Sequence, residues 1–264
     1  MHQQSPDGTH LIDIVFPGDT NHHGTLFGGT ALSHMDKVAF VAATRFGRRS
    51  FVTASCERID FSAPAARGHL IDFAARVVTA GTRSLTVRVD MQAEDLVSGA
   101  RHLCTSGLFH MVSPDRDAPA LPKISALPKA SAAPETPGSC DTRTLCRRIE
   151  MVFADQTNHY GTLFGGNALA MMGKTAFITA TRYSRQVFVM AASQRTDFIA
   201  PAQEGEIIDL SGRVKYTGRT SLVAEVSMHA EDLMTGERRL CARSNFVMVA
   251  TDKTGTPEPL ASEH

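Results

Sequence analysis

The sequence predicts an α+β fold made twice, each copy holding one long helix followed by an antiparallel meander of strands. Three observations carry this. Residues 20–29, TNHHGTLFGG, return as TNHYGTLFGG at residues 157–166, an offset of 158 − 21 = 137. The same offset pairs Phe61 with Phe198, Pro64 with Pro201, Gly68 with Gly205, Gly81 with Gly218, and Ala93–Leu96 with Ala230–Leu233. Within each copy one segment carries apolar residues three and four apart, the period of a helix, and the remainder runs in β-branched and aromatic stretches cut by turn residues. One helix followed by a run of strands is an α+β pattern rather than βαβ.

In chain order, His10–Phe16 reads as a short strand, and Pro17–Asn21 as a polar turn. Leu26–Phe46 places Phe27, Ala31, Leu32, Met35, Val38, Ala39 and Ala42 at helical spacing, with Gly47 as a stop. Strands follow at Phe51–Phe61, His69–Thr79, Ser84–Gln92 and Arg101–Met111, divided by Ala63-Pro64, Gly81 and Ser98-Gly99. The Ala-, Pro- and Ser-rich stretch 114–141 has no period and reads as a semi-extended, exposed linker. The second copy repeats the order: a strand near Leu145–Phe153, a helix over Leu163–Tyr183, and strands from Val187 to Val249. The expected units are therefore a domain at 1–113, the linker at 114–141, a second domain at 142–250, and a disordered tail at 251–264.

Each copy is long enough for its own core, and a repeat of this length is a domain duplication rather than a solenoid. Formal net charge is zero and the pI is near 7, which gives no electrostatic reason to expect nucleic acid or a membrane surface as partner. No apolar run approaches the ~20 residues that cross a bilayer, and the N-terminus lacks the basic and apolar regions of a secretory signal. The five cysteines, Cys56, Cys104, Cys140, Cys146 and Cys241, form no CxxC and are odd in number. Cys104 and Cys241, repeat-equivalent and in strand-like runs, read as small buried hydrophobes, and a reducing cytoplasm fits the set.

One difference between the copies points to chemistry. Asp36, in the first helix, is answered by Gly173 in the second. Asp36 lies among Met35, Val38, Ala39 and Phe40, where a carboxylate fits a buried face poorly; the alternatives are an exposed turn of helix or a general base whose pKa burial raises. Gly28-Gly29 and Gly165-Gly166 open the helices, where main-chain N–H groups lack partners and a missing Cβ permits close approach. They serve either as tight packing positions or as donors to a developing oxyanion. Gly29 and Asp36 are seven residues, about 10 Å of helix, apart, so one reacting carbonyl cannot meet both. The donors and the acid must come from different copies. One composite site would join Asp36 to Asn158, Gly165 and Gly166; the other would join Asn21, Gly28 and Gly29 to Gly173, which either leaves that site without a base or makes room there for a bound group.

The run Asp19-Thr20-Asn21-x-x-Gly24-x-x-Phe27-Gly28-Gly29, with Met35-Asp36 beyond it, resembles the signature of hotdog-fold acyl-CoA thioesterases. Asp60-Phe61-x-x-Pro64-x-x-x-Gly68 and Gly218-Arg219-Thr220-Ser221 are similar to further blocks of that family, and both copies match. The resemblance implies a double hotdog, each long central helix wrapped by an antiparallel sheet, with one competent site from two. It implies hydrolysis of fatty acyl-CoA by water, with Asp36 as general base, Asn158 orienting water or carbonyl, and an amide of Gly165 or Gly166 polarising the carbonyl. Phe27 and Phe164 stand where the common form has His before the glycines, and Phe164 then borders the substrate. No cofactor is implied, coenzyme A being part of the substrate.

The phosphates of coenzyme A call for cations. Arg83 with Ser84, and Arg219-Thr220-Ser221, are candidates; solvated turn residues are the alternative. Arg45 and Arg182 end their helices, where a cation complements the dipole. His22, His23 and His159 flank the asparagines without an HxxxH or HExxH pattern, so they read as turn residues rather than metal ligands. A hydratase on the same fold would carry His at the loop position that holds Asn here, and a silent acyl-CoA-binding module would need no acid. Exposed sheet edges and the family's habit imply a homo-oligomer, a trimer of these chains.

Overall fold

The two helical segments form because each has a continuous apolar face to bury. In the computed structural model, which describes residues 8–115, 117, 119–122, 124 and 144–261, α1 spans Gly28–Gly47 and α2 spans Gly165–Ser184. Leu32, Met35, Val38, Ala39 and Ala43 of α1, and Leu169, Met172, Ala176 and Ala180 of α2, are at most 1% exposed. Both helices stop at a left-handed residue, Arg48 at φ 51° and Arg185 at φ 55°, whose N–H groups reach back 2.8 Å to Thr44 O and Thr181 O. Gly47 is thus the last helical residue rather than the left-handed cap. Its missing side chain serves packing, since a Cβ there would lie 2.7 Å from the Phe51 ring.

The strands are β1 (Thr9–Ile14), β2 (Val52–Cys56), β3 (Ile59–Asp60), β4 (Leu70–Ala80), β5 (Ser84–Glu94) and β6 (Arg101–Val112) in the first copy. In the second they are β7 (Thr144–Met151), β8 (Val187–Ser193), β9 (Thr196–Phe198), β10 (Ile207–Thr217), β11 (Ser221–Glu231) and β12 (Arg238–Thr251). All pairings are antiparallel, and they join one twelve-stranded sheet in the order β1-β4-β5-β6-β2-β9-β12-β11-β10-β7, with β8 beside β12 and β3. The copies meet at the β2–β9 seam, where Ser55 faces Asp197 and Cys56 faces Thr196. Register shifts recur at equivalent places, Val77/Thr79 with Val214/Tyr216 and Met91/Gln92 with Met228/His229. Such bulges bend a strand and raise its twist, which curves each half-sheet around its helix.

Three expectations change. The stretch Phe51–Phe61 is broken between β2 and β3, because β2 pairs with β6 while β3 crosses to β8 of the other copy. The tail after Thr251 is ordered as far as Ala261: Leu260 N donates to Arg219 O, Gln186 binds Glu258 and Pro259, and Leu260 packs on the core. The start of the linker is likewise docked, with Leu121 5% exposed and Ile124 bridged to Ala80. The rest of the linker lies outside the described residues. Cys56, Cys104, Cys146 and Cys241 are buried free thiols, and burial raises the pKa of Cys104 to about 11; Cys140 lies outside the described residues. No described helix is long and apolar enough to cross a membrane.

Candidate active site

The helices run side by side, each N-terminus against the middle of its neighbour. A Cβ on Gly166 would lie 2.8 Å from Ser33 O of α1, and one on Gly29 would lie 3.3 Å from Ala170 O of α2. The second glycine of each pair therefore serves close helix–helix approach. The first does something else. The place a Cβ would take on Gly165 is 3.2 Å from Asp36 Oδ2 and 3.3 Å from Thr53 Oγ1.

Asp36 is fully buried. Its Oδ1 accepts a 2.6 Å hydrogen bond from Thr53 Oγ1, while Oδ2 has no partner among the described residues. Burial raises its pKa from 3.8 to about 6; the Thr53 hydroxyl and the amide of Gly166 oppose that rise. The Gly166 N–H lies near enough to favour the carboxylate without a well-aligned hydrogen bond to it. An acid titrating near 6, half-anchored and with one free oxygen, can take up a proton at neutral pH.

A cavity of about 560 Å³ adjoins this group, with a mostly apolar lining that includes Phe40, Phe51, Val52, Phe164, Phe198 and Met228. Thr53, Asn158 and Gly165 line it as well; Asp36 stands one layer behind Thr53 and Gly165. Asn158 is held by its own turn, its Oδ1 accepting from Tyr160 N at 2.9 Å and Thr162 Oγ1 at 3.1 Å. That leaves the Nδ2 donors of Asn158 unpaired among the described residues. Asn21, in contrast, donates through Nδ2 to Thr25 Oγ1 at 3.0 Å. The rings of Phe164 and Phe40 meet edge to face at 6.0 Å across the cavity wall.

Four predicted residues, Asp36, Asn158, Gly165 and Gly166, are thus brought to one place from two copies, with Phe164 beside them. Thr53 joins them, unforeseen. The offset held the signal: Thr53 is answered by Met190, so a polar residue is lost from the second copy beside the lost acid.

In the other half-site, Asn21, Gly28, Gly29 and Gly173 also converge. The place beside Gly173 is taken by Met190, and a cavity of about 700 Å³ bordered by Asn21, Phe27, Lys174 and Phe177 lies in the same half. A Cβ on Gly173 would lie 3.0 Å from Met190 Cε and 3.3 Å from Gly29 Cα, and one on Gly28 would lie 3.0 Å from Met190 Sδ.

Arg83, Ser84 and Arg219 sit exposed in the β4–β5 and β10–β11 turns with Thr220 and Ser221, and none of the five lines the cavity. The carbonyl of Arg83 accepts from Ser113 N, next to the cavity-lining Val112 and Pro114. Arg182 donates to Leu145 O at 2.9 Å, a structural tie at its helix end. His159 bridges the copies through Ser50 Oγ at 2.5 Å, and His23 through Thr251 Oγ1 at 2.8 Å. Among the described residues no group of three or more His, Cys, Asp or Glu could hold a metal ion.

Comparison with known proteins agrees with this architecture. The thioesterase superfamily model matches twice, over residues 23–100 and 160–237. An uncharacterized acyl-CoA thioester hydrolase of Bacillus subtilis is 37% identical over 41% of this chain and 63% of its own. Acyl-coenzyme A thioesterase 11 of Mus musculus is 24% identical over 97% of this chain and 49% of its own, so this chain spans less than two thirds of the length of either relative. A crystal structure of an acyl-CoA hydrolase from Agrobacterium tumefaciens is 48% identical, covers 96% of this chain and 97% of that one, and has a TM-score of 0.41. Two matched repeats, two long helices and one wrapped antiparallel sheet make this chain a member of the thioesterase superfamily, in a tandem double-hotdog form.

Proposed function

We propose that the chain hydrolyses fatty acyl-CoA thioesters to free acid and coenzyme A at one composite site between its copies. The observation that carries the reading is the buried Asp36 carboxylate, whose free Oδ2 faces the side-chain-less Gly165 at the edge of an apolar cavity. Family membership and the names borne by the relatives support the substrate class.

In this reading the gap at Gly165 admits a water between Asp36 Oδ2 and Thr53. Asp36 takes a proton from that water as its oxygen attacks the thioester carbonyl. The carbonyl oxygen, now anionic, meets the Gly165 N–H at the positive end of α2 and Nδ2 of Asn158. The Gly166 amide lies near Asp36 and favours its carboxylate, so in this reading the oxyanion falls to Gly165. Collapse breaks the C–S bond, and the proton on Asp36 passes to the departing thiolate. Substrate reaches this site only through one copy's base and the other copy's donors.

The test is thiol release from a series of acyl-CoAs by the wild type, Asn158→Ala and Asn21→Ala. Loss with Asn158→Ala of at least about 100-fold, the lower range for a preorganised oxyanion donor, and near-normal rates with Asn21→Ala are expected. The reverse order would remove the cross-copy site. The edge strands β1 and β7 expose Ile12 and Ile14, and Ile149 and Met151, and Phe16 and Phe153 are exposed just beyond them. This repeated apolar stripe supports assembly into a homo-oligomer, with a trimer of chains expected by sedimentation. Four buried free thiols support a reducing, cytoplasmic setting.

A further inference from the structure

We propose that Met190 is a built-in plug that seals the second half-site, so that each chain holds one acyl-CoA, and that a latent catalytic centre lies beneath it. This rests on the composite site proposed above. At the open site two polar residues stand opposite the first glycine of α2: Asp36 on α1, and Thr53 on β2, 2.6 Å apart. At the pseudo-equivalent place opposite Gly28, Gly173 and Met190 replace both.

Met190 does not merely lack a hydroxyl. It is 8% exposed, its Sδ and Cβ lie 3.0 and 3.1 Å from where a Cβ on Gly28 would stand, and its Cε lies 3.0 Å from where a Cβ on Gly173 would stand. One side chain thus stands between Gly28 and Gly173, and neither glycine lines the cavity of about 700 Å³ that Asn21 and Phe27 border in this half, so Met190 keeps whatever enters that cavity from the Gly28 amide. The helix N-terminus behind it is otherwise retained: Phe27, Gly28, Gly29 and Asn21 keep the residue types of Phe164, Gly165, Gly166 and Asn158.

The two replacements are coupled by space. The Cβ of an aspartate built on Gly173 would already lie 3.0 Å from the Met190 methyl and 3.3 Å from Gly29 Cα, so the carboxylate needs Met190 to give way. A threonine at 190 beside Gly173 frees the gap but supplies no base. Opening the site takes Met190→Thr; activating it takes Gly173→Asp as well.

The experiment titrates the full chain with a non-hydrolysable thioether analogue of a fatty acyl-CoA by calorimetry. One site per wild-type chain and two per Met190→Thr chain are expected. Two per wild-type chain overturn the plug; none overturns the proposed function itself. Thiol release is then followed on an Asp36→Asn background. Gly173→Asp with Met190→Thr should raise the rate at least about 100-fold over the parent, the lower range for a positioned general base, while Gly173→Asp alone should not. Equal rates for the single and double variants overturn the coupling. A folded double variant with two binding sites and no rate gain overturns the latent centre. The wild-type stoichiometry depends on no variant and stands whether or not the triple-substituted chain folds.

Discussion

Replacing Asp36 with Asn should make the protein more stable while removing its activity. The magnitude follows from the pKa. Burial lifts Asp36 from 3.8 to about 6, and each pKa unit is worth 1.36 kcal/mol, which gives about 3 kcal/mol against folding once the group is ionised in both states. The sign is set by a folded pKa above the unfolded one: the neutral acid's advantage is whole below about pH 4, and is lost as pH rises through 6. Asparagine keeps the shape and the Thr53 bond to Oδ1 but carries no charge to bury. Asp36→Asn should therefore melt within a degree or so of wild type at pH 3.5. At pH 8 it should melt several degrees higher, at ~2–4 °C per kcal/mol for chains of about this size. Thermal melts across pH 3.5–9, read by circular dichroism, measure this directly. Equal melting temperatures at pH 8, or an advantage that does not vary with pH, refute a raised Asp36 pKa. Wild-type hydrolysis should fall as pH drops below about 6, where the base is protonated.

Three further outcomes follow from the same geometry. Thr53→Val removes the donor that favours the ionised carboxylate, so the acid limb of the pH–rate profile should move up by on the order of one pH unit; an unmoved limb would dissociate Thr53 from the base. Gly165→Ala closes the approach to Oδ2, its Cβ sitting 3.2 Å from that oxygen, and should cost about 100-fold in hydrolysis, whereas Gly28→Ala should leave rates within about two-fold, because it presses only on Met190. Gly212→Ala drives a methyl into the buried Thr179 hydroxyl of α2; a loss of about 1–3 kcal/mol in denaturant unfolding is expected, and unchanged stability would contradict the packing described.

Much of this molecule was readable from the chain itself because its signals are local and doubled. The helices came from three- and four-residue spacing, within two residues at each end, and the long strands from alternation bounded by Gly81, Ser98-Gly99 and their counterparts. The break after Cys56 was not readable, because the strands that pair on either side of it, β9 with β2 and β8 with β3, are supplied by the other copy. The docking of the tail was hidden for the same reason: Gln186 and Arg219, which hold it, are far away in sequence. At the site, the adjacency of Asp36 and Gly165 across the copies was legible in helix rise, which sets Gly29 and Asp36 too far apart to meet one carbonyl. Thr53 was not legible, because a threonine in a strand is ordinary; only its replacement by Met190 sets it apart. Which glycine packs and which stays open depends on how the helices cross, and no run of letters records that.

The seam at β2–β9 carries a consequence for how such a chain can change. In a dimer of identical subunits, every substitution falls on both sites at once, and a damaging one is felt twice. Here Ser55 and Cys56 pair with Asp197 and Thr196 of the same polypeptide, so each chain always contains one copy of each kind. A change at Asn21 or Gly173 then tests only the half-site it belongs to. The joined chain behaves as an obligate heterodimer encoded by a single reading frame, and its two half-sites, each built from both copies, are free to drift apart.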